Sequence, residues 1–452
     1  RSPSRGLGDV YKRQTLNSMA MDYNDYKYHN KIIGMSASAS SFGGKVSTEV
    51  ADGFTIEHGP DSFVAYRPAG LRLVDELGLG VQVQAVTGQR TVYLRAEGKL
   101  RPLPQGMGMV LPTRLGPFVT TRILSWPDKL RAGLDLVLPR LLGEEDVAIG
   151  AFLRRRLGAG IVTKFADPMV GGIYGASVND LSLDAVLPSL RENEAQYRSL
   201  MLASLSQGRA ARAQATGGRG PSSPFRSLTG GLETLVTALV AALREAGAAL
   251  HPSTRLDSLA DVDADAVILA GGVESSAVLL RGPAPEAAGA LSGIPLSSST
   301  VVTLAYPESA FREPPTHHGW LEAGPAPVSG VTVSSAKWPG RAPGGSVLLR
   351  GFVPARLGAI ADAADADLQA RVIEHVGTVM GITGDPSLTR IARWQGVMPS
   401  YTVGHQGRVA AVEHGLAGRP RWRVAGSALH GVGIPDCIAD GRAQAAAALA
   451  DR

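Results

Sequence analysis

Three glycine-centred stretches hold most of the chemistry that can be read from this sequence. The first runs from Gly43, Gly44 and Lys45 to Gly59, Pro60, Asp61 and Ser62. Paired glycines let a backbone approach a phosphate or a ring closely, and Lys45 adds positive charge. The turn at residues 59–62 can set backbone N–H groups against a planar cofactor. Each of these alone is the pattern of an ordinary turn; together they point to a bound ligand. The second stretch, Gly431-Val432-Gly433-Ile434-Pro435-Asp436, leads into a C-terminal helix. A helix N-terminus carries unpaired N–H groups and a positive dipole end, which suit an electron-rich acceptor. The plainer alternative is a strand-to-helix turn capped by Asp436 or Asp440. The third stretch, residues 265–272, is a short apolar strand ending in Gly271 and Gly272, of the kind that closes a dinucleotide-binding half-domain.

Nothing in the chain suggests covalent or metal chemistry. No Gly-x-Ser-x-Gly or His-Glu-x-x-His pattern occurs, and His317, His318 and His405 stand apart from other ligand types. Cys437 is the only cysteine, which excludes intramolecular disulfides and cysteine-held zinc or iron–sulfur sites and suits a reducing, cytoplasmic compartment. No side chain has an evident acid–base role, so no catalytic residue is assigned. The hard chemistry would come from an organic cofactor. The formal charge of +5 is spread along the chain without basic runs interleaved with aromatics, which gives little support to a nucleic-acid groove. A basic pocket for an anionic small molecule fits as well. No apolar run approaches the ~20 residues that span a bilayer, so membrane contact would at most be peripheral.

The elements that must position these residues are legible in part. Residues 31–34 read as a buried strand. The stretch from Phe54 reads as a strand ending at Gly59-Pro60, and residues 68–79 read as a helix with proline at its start. Residues 91–104 read as a hairpin around Ala96-Glu97-Gly98. From about 104 to 216 the pattern is mainly helical, although residues 206–224 look like an exposed, glycine-rich connection. A long helix over 232–247, strands within 300–353 and a last alanine-rich helix from 440 follow. Residues 1–30 differ in composition, being rich in Lys, Asn and Tyr where the rest is rich in Ala and Arg, and read as a segment of separate origin. Their Gly6-x-Gly8 pair has no preceding apolar strand and reads as a turn.

The segments GGKVSTEVADGFTIEHGPDSF, DPMVGGIYGASVNDLSLDAVLPSL, SLTGGLETL, RWQGVMPSYTVGHQGRV and GVGIPDCIADG occur in the order found in bacterial coproporphyrinogen III and protoporphyrinogen IX oxidases, which the chain resembles over about residues 40–449. The GIYG and GVGIPDCI segments are specific to this branch of the flavin amine oxidase superfamily. The resemblance implies a mixed α/β fold. An FAD domain of p-hydroxybenzoate-hydroxylase type is assembled from residues 31–64, 217–282 and 405–452. A sheet-based substrate domain comprises 65–103 and 283–404, and a helical domain 104–216. Family FAD contacts fall on Gly43, Gly44, Lys45, Gly59, Pro60, Asp61, Ser62, Leu256, Trp394, Val432, Gly433 and Ile434. Arg67 and Arg90 correspond to residues that bind substrate propionates.

Two departures from the family stand out. Its N-terminal apolar strand and G-x-G-x-x-G loop, which hold the FAD pyrophosphate, are missing. Ala37 stands where an acidic residue would bind the ribose, so FAD binding by this chain is expected to be weak. The implied reaction removes hydrogen from a reduced cyclic tetrapyrrole in successive two-electron steps, with molecular oxygen as final acceptor and a ferrochelatase downstream in haem biosynthesis. The resemblance of the Ala- and Arg-rich, Lys-poor chain to the coproporphyrinogen branch implies coproporphyrinogen III as the expected substrate. Protoporphyrinogen IX, another flavin oxidase reaction such as amine oxidation or carotenoid desaturation, and an inactive FAD-less fragment remain alternatives.

Overall fold

The computed structural model describes residues 22–23, 32–35, 42–88, 91–214 and 223–450. A five-stranded sheet has the order Ala248–Ala249, Asp22–Tyr23, Ile32–Met35, Ala266–Leu269, Trp422–Val424. Ala266–Leu269 runs parallel to both its neighbours, and all its positions are buried. That is the behaviour of a central parallel strand covered on both faces. Alternate residues divide between the two faces. Ala266 and Ile268 pack with Ala425, Ala445 and Ala448, the last two from the helix Ile434–Ala450. Val267 and Leu269 meet the helices Val273–Leu280, Pro285–Ser292 and His405–Gly415. Asp22–Tyr23, from the segment read as separate, pairs antiparallel with both Ala248–Ala249 and Ile32–Met35.

A seven-stranded sheet has the order Leu388–Pro399, Leu296–Pro307, Ser346–Pro354, Gly330–Val333, Gly319–Glu322, Tyr93–Ala96, Lys99–Pro102. Its pairings are antiparallel except for Gly319–Glu322 beside Tyr93–Ala96. The expected hairpin is present, and Glu97 and Gly98 at its tip both have positive φ, as a two-residue turn between twisted strands requires. On one face Val302, Leu304 and Tyr306 pack with Leu368, Val372 and Val376 of the helix Asp365–Met380. On the other, Ala305 and Leu348 meet Phe54 and Ile56. This second contact brings the strand pair Thr48–Ala51 and Phe54–Glu57 against the large sheet.

Residues between Leu115 and Gln214 form a layer of mostly helical segments with its own apolar core. At its centre the fully buried Arg156 donates from Nε to Asp135 at 2.5 Å and pairs with Glu194 at 3.2 Å. Asp135 also accepts from Ser199 Oγ and the Met201 N–H. Residues 206–214, expected as part of an exposed connection, instead complete the helix Leu200–Gln214. Ala, Arg and Gln favour helix, and Gly208 lets this helix press against Thr113. The C-terminal helix starts at Ile434 rather than 440, with Pro435 in its first turn, where a missing N–H costs nothing. Among the described residues no helix is long and apolar enough to cross a membrane.

Candidate active site

The first glycine stretch is a tight turn. Gly43 and Gly44 have φ of 109° and 54°, and the Val46 N–H closes the turn on Gly43 O at 3.0 Å. A Cβ on Gly43 would lie 2.8 Å from Val46 O, whereas one on Gly44 would meet nothing within 4 Å. The turn is therefore packed on one side and open on the other. Lys45 then reaches away from the turn: Nζ donates to Val397 O at 3.0 Å and lies 3.4 Å from Ser427 Oγ. Burial lowers its pKa.

Gly59 sits directly on Lys45. A Cβ there would be 1.8 Å from Lys45 O, so no other residue fits. Arg350 donates to Gly59 O, and Trp394 Nε1 donates to His58 O at 2.8 Å. The Asp61 carboxylate turns into the protein, where it accepts from Lys337 Nζ at 2.9 and 3.0 Å, Trp338 Nε1 at 3.2 Å and Ser62 Oγ at 2.7 Å. Arg350 lies 3.7 Å away. Burial alone would raise the Asp61 pKa, but Lys337 and Arg350 together hold it well below the usual carboxylate range. Glu57, at the end of its strand, is a second buried anchor. It accepts from Thr48 Oγ1 and the Leu232 N–H and pairs with Arg341 at 3.0 Å.

The third element of the site is the loop at residues 425–433 that runs into the helix Ile434–Ala450. Asp440, considered as a cap, lies inside the helix and accepts the Gly426 N–H at 2.7 Å. Asp436 lies in the first turn and pairs with Arg67, whose side chain remains half exposed. Gly431, at φ 139°, leaves room for Asp436, whose Cβ would be 2.6 Å from any added Cβ. Tyr401 donates its hydroxyl to Ser427 O at 2.9 Å and accepts the Gly431 N–H at 2.7 Å. His405 stacks on the Tyr401 ring at 3.9 Å, with Nε2 2.9 Å from Leu429 O. Tyr174 of the GIYG segment is near the same loop, its ring centroid 6.1 Å from that of Tyr401. Burial, followed by the charge of Asp436, pushes its phenol up to about 12.

The backbone N–H groups of Val432, Gly433 and Ile434 find no acceptor among the described residues. Three donors at the positive end of a long helix, beside a glycine turn open on one side, fit an electron-rich ring edge such as that of a flavin. Lys45 connects the first glycine turn to this loop, and Trp394 connects the second to the large sheet. Leu256 packs elsewhere, on the apolar cluster of Leu259, Val267 and Leu269. Arg67 lines a cavity of about 420 Å³ between the helices Pro68–Glu76 and Ile434–Ala450, together with Arg72 and Arg442. Arg90 and Ala37 lie outside the described residues. Reading the sequence did not single out Tyr401, Arg350, Lys337 or Trp338 for any role. Only Tyr401 falls within a segment that carries the resemblance; Lys337, Trp338 and Arg350 fall in none, and each acts on a residue distant in the chain.

Residues 39–449 match the family of flavin containing amine oxidoreductases. The chain belongs to that family, and FAD is its cofactor. Within the family, the chain is 57% identical over 446 residues to a coproporphyrinogen III oxidase of Propionibacterium freudenreichii subsp. freudenreichii, covering 91% of this chain and 85% of the relative. It is 33% identical to the coproporphyrinogen III oxidase of Bacillus subtilis (strain 168), over 90% of this chain and 89% of that one. The structure superposes on one described as a protoporphyrinogen oxidase of Exiguobacterium sp. 255-15 with a TM-score of 0.80 and 27% identity, covering 99% and 97% of the two chains.

Proposed function

We infer that this chain oxidises coproporphyrinogen III to coproporphyrin III in haem biosynthesis, using FAD as the immediate acceptor and molecular oxygen as the final one. The observation that carries this reading is the 57% identity to a coproporphyrinogen III oxidase along nearly the whole chain. The amides of residues 432–434, without an acceptor among the described residues, are the matching feature of the site. Bound FAD supplies the hydride acceptor, a capacity that no protein side chain has. The protein's own part is to bind, orient and exclude water. Residues 432–434 and the open side of Gly44 would hold the cofactor, with the turn at residues 59–62 braced beside it by Asp61. Arg67 and Arg90 are proposed to bind substrate propionates. The Arg67 guanidinium, half exposed and already near Asp436, has hydrogen-bonding capacity left for a carboxylate. The porphyrin product would pass to a ferrochelatase.

The test is to supply the purified protein with coproporphyrinogen III and follow coproporphyrin fluorescence and oxygen uptake together. Turnover of coproporphyrinogen III faster than that of protoporphyrinogen IX is expected. The reverse order would change the substrate, and absence of both reactions from a flavin-loaded protein would remove the function.

A further inference from the structure

The segment Ser400-Tyr401-Thr402-Val403-Gly404-His405 is held by its backbone to two other layers of the molecule. Ser400 N–H donates to Pro295 O at 2.8 Å, Ser182 N–H to Tyr401 O at 2.7 Å, and Val403 N–H to Asp180 O at 3.1 Å. These bonds attach it to the residue just before the strand Leu296–Pro307 of the large sheet and to the helical layer. From that fixed position two side chains reach the loop ahead of the helix Ile434–Ala450. Tyr401 is only 2% exposed, and its one hydroxyl serves two backbone groups, Ser427 O and Gly431 N–H. His405, also 2% exposed, serves a third, Leu429 O. With Leu429 O accepting, Nε2 carries the proton and the buried Nδ1 has no partner. The imidazole is therefore neutral, and burial lowers its pKa accordingly. Every second residue from 427 to 431 is thus tied, and the next residues in the chain are those with unpaired amides.

We propose that Tyr401 and His405 are positioning residues for the cofactor: they fix the loop at residues 427–431 and so aim the amides of residues 432–434 at the ring edge. Neither touches the reacting atoms. The proposal rests on FAD occupying this site, but not on which porphyrinogen is the substrate. It gives a physical role to the PSYTVGH segment, whose bonds join the substrate-side sheet, the helical layer and the start of the helix that faces the cofactor.

The test uses the full chain with Tyr401→Phe, His405→Leu and His405→Gln. Tyr401→Phe keeps the ring and its stacking and removes both hydrogen bonds. His405→Leu removes the donor to Leu429 O, and His405→Gln puts an amide donor back. FAD affinity is read by titration of the stripped protein, the flavin midpoint potential by dye-coupled reduction, and the stability of the stripped protein by its melting temperature. For Tyr401→Phe and His405→Leu, a roughly tenfold rise in the FAD dissociation constant is expected, as befits the loss of one or two net hydrogen bonds. A shifted midpoint potential should accompany it. His405→Gln should recover most of both. Where the porphyrinogen is turned over, kcat should fall with KM nearly unchanged. A lower melting temperature with unchanged affinity and potential would mark a merely structural role and overturn the proposal. Failure of the unaltered protein to take up FAD would overturn both this proposal and the proposed function. A protein that takes up FAD but oxidises no porphyrinogen would lose only the latter.

Discussion

Asp61 is a buried charge on which three groups converge: Lys337 at the end of the helix Ser334–Lys337, Trp338 just after it, and Arg350 on the strand Ser346–Pro354. Removing a partner from a buried ion pair typically costs about 3–5 kcal/mol, since the remaining charge is left unpaired. Asp61→Asn strands Lys337 and Arg350 and should lower unfolding stability by about that amount, measured by urea denaturation at neutral pH. The pH dependence has a definite sign. The folded-state pKa is depressed below the unfolded value of about 3.9. The unfolded chain therefore takes up a proton that the folded one refuses. The stabilisation is complete well above pH ~4 and is lost as the pH falls below it. Urea midpoints should fall more steeply with acid in the unaltered protein than in Asp61→Asn. At this scale the glycines were legible, because a missing side chain signals close approach; the 1.8 Å clash at Gly59 is the physical content of that signal. The charge partners were not. Lys45 reaches Val397 and Ser427, Asp61 reaches Lys337, and Glu57 reaches Arg341. Nothing local in the chain encodes such pairings.

Among the elements, those with a clear period or a turn signal formed close to where they were expected. The helix Glu233–Glu245, the hairpin Tyr93–Ala96 with Lys99–Pro102, and the strand Ala266–Leu269 are examples. The helix Leu200–Gln214 shows the opposite case, in which a polar stretch with an internal glycine folds as helix because tertiary packing favours it. Gly208 is needed there for space. A Cβ would lie 2.6 Å from Thr113 O and 2.8 Å from Thr113 Cβ. In an open helix Gly→Ala gains about 1 kcal/mol. Here overpacking costs about 1–3 kcal/mol. Gly208→Ala should therefore be neutral to destabilising by up to about 2 kcal/mol, read from the denaturation midpoint. A clear gain in stability would show that Thr113 yields without cost. The start of the helix Ile434–Ala450 was misplaced by six residues for a related reason. The alanine-rich composition marks only the later turns, whereas the first turn holds Pro435, which is harmless there.

For the whole molecule, the arrangement of layers was legible through the resemblance rather than through composition, since the five-stranded sheet draws its strands from widely separated parts of the chain. Its strand Ile32–Met35 lies at the centre, beside Ala266–Leu269. Residues 1–41 contain no three-glycine loop, and in folds of this kind such a loop brings a helix N-terminus to the pyrophosphate. Exchanging residues 1–41 for a segment with an apolar strand and that loop should raise the flavin content of the purified protein, read from its absorbance near ~450 nm, a general flavin property. Equal content in the two proteins would show that the contacts described around residues 43–62 and 426–434 suffice. The same long-range pairing limits recombination with relatives. The charge in the turn at residues 59–62 is balanced by Lys337 and Arg350 and hydrogen-bonded by Trp338, all almost three hundred positions further along the chain. A chimera that replaced the large sheet and its connections without carrying those side chains would leave the Asp61 carboxylate buried and unpaired. The large sheet and its connections therefore have to be exchanged together with residues 54–62, which they brace.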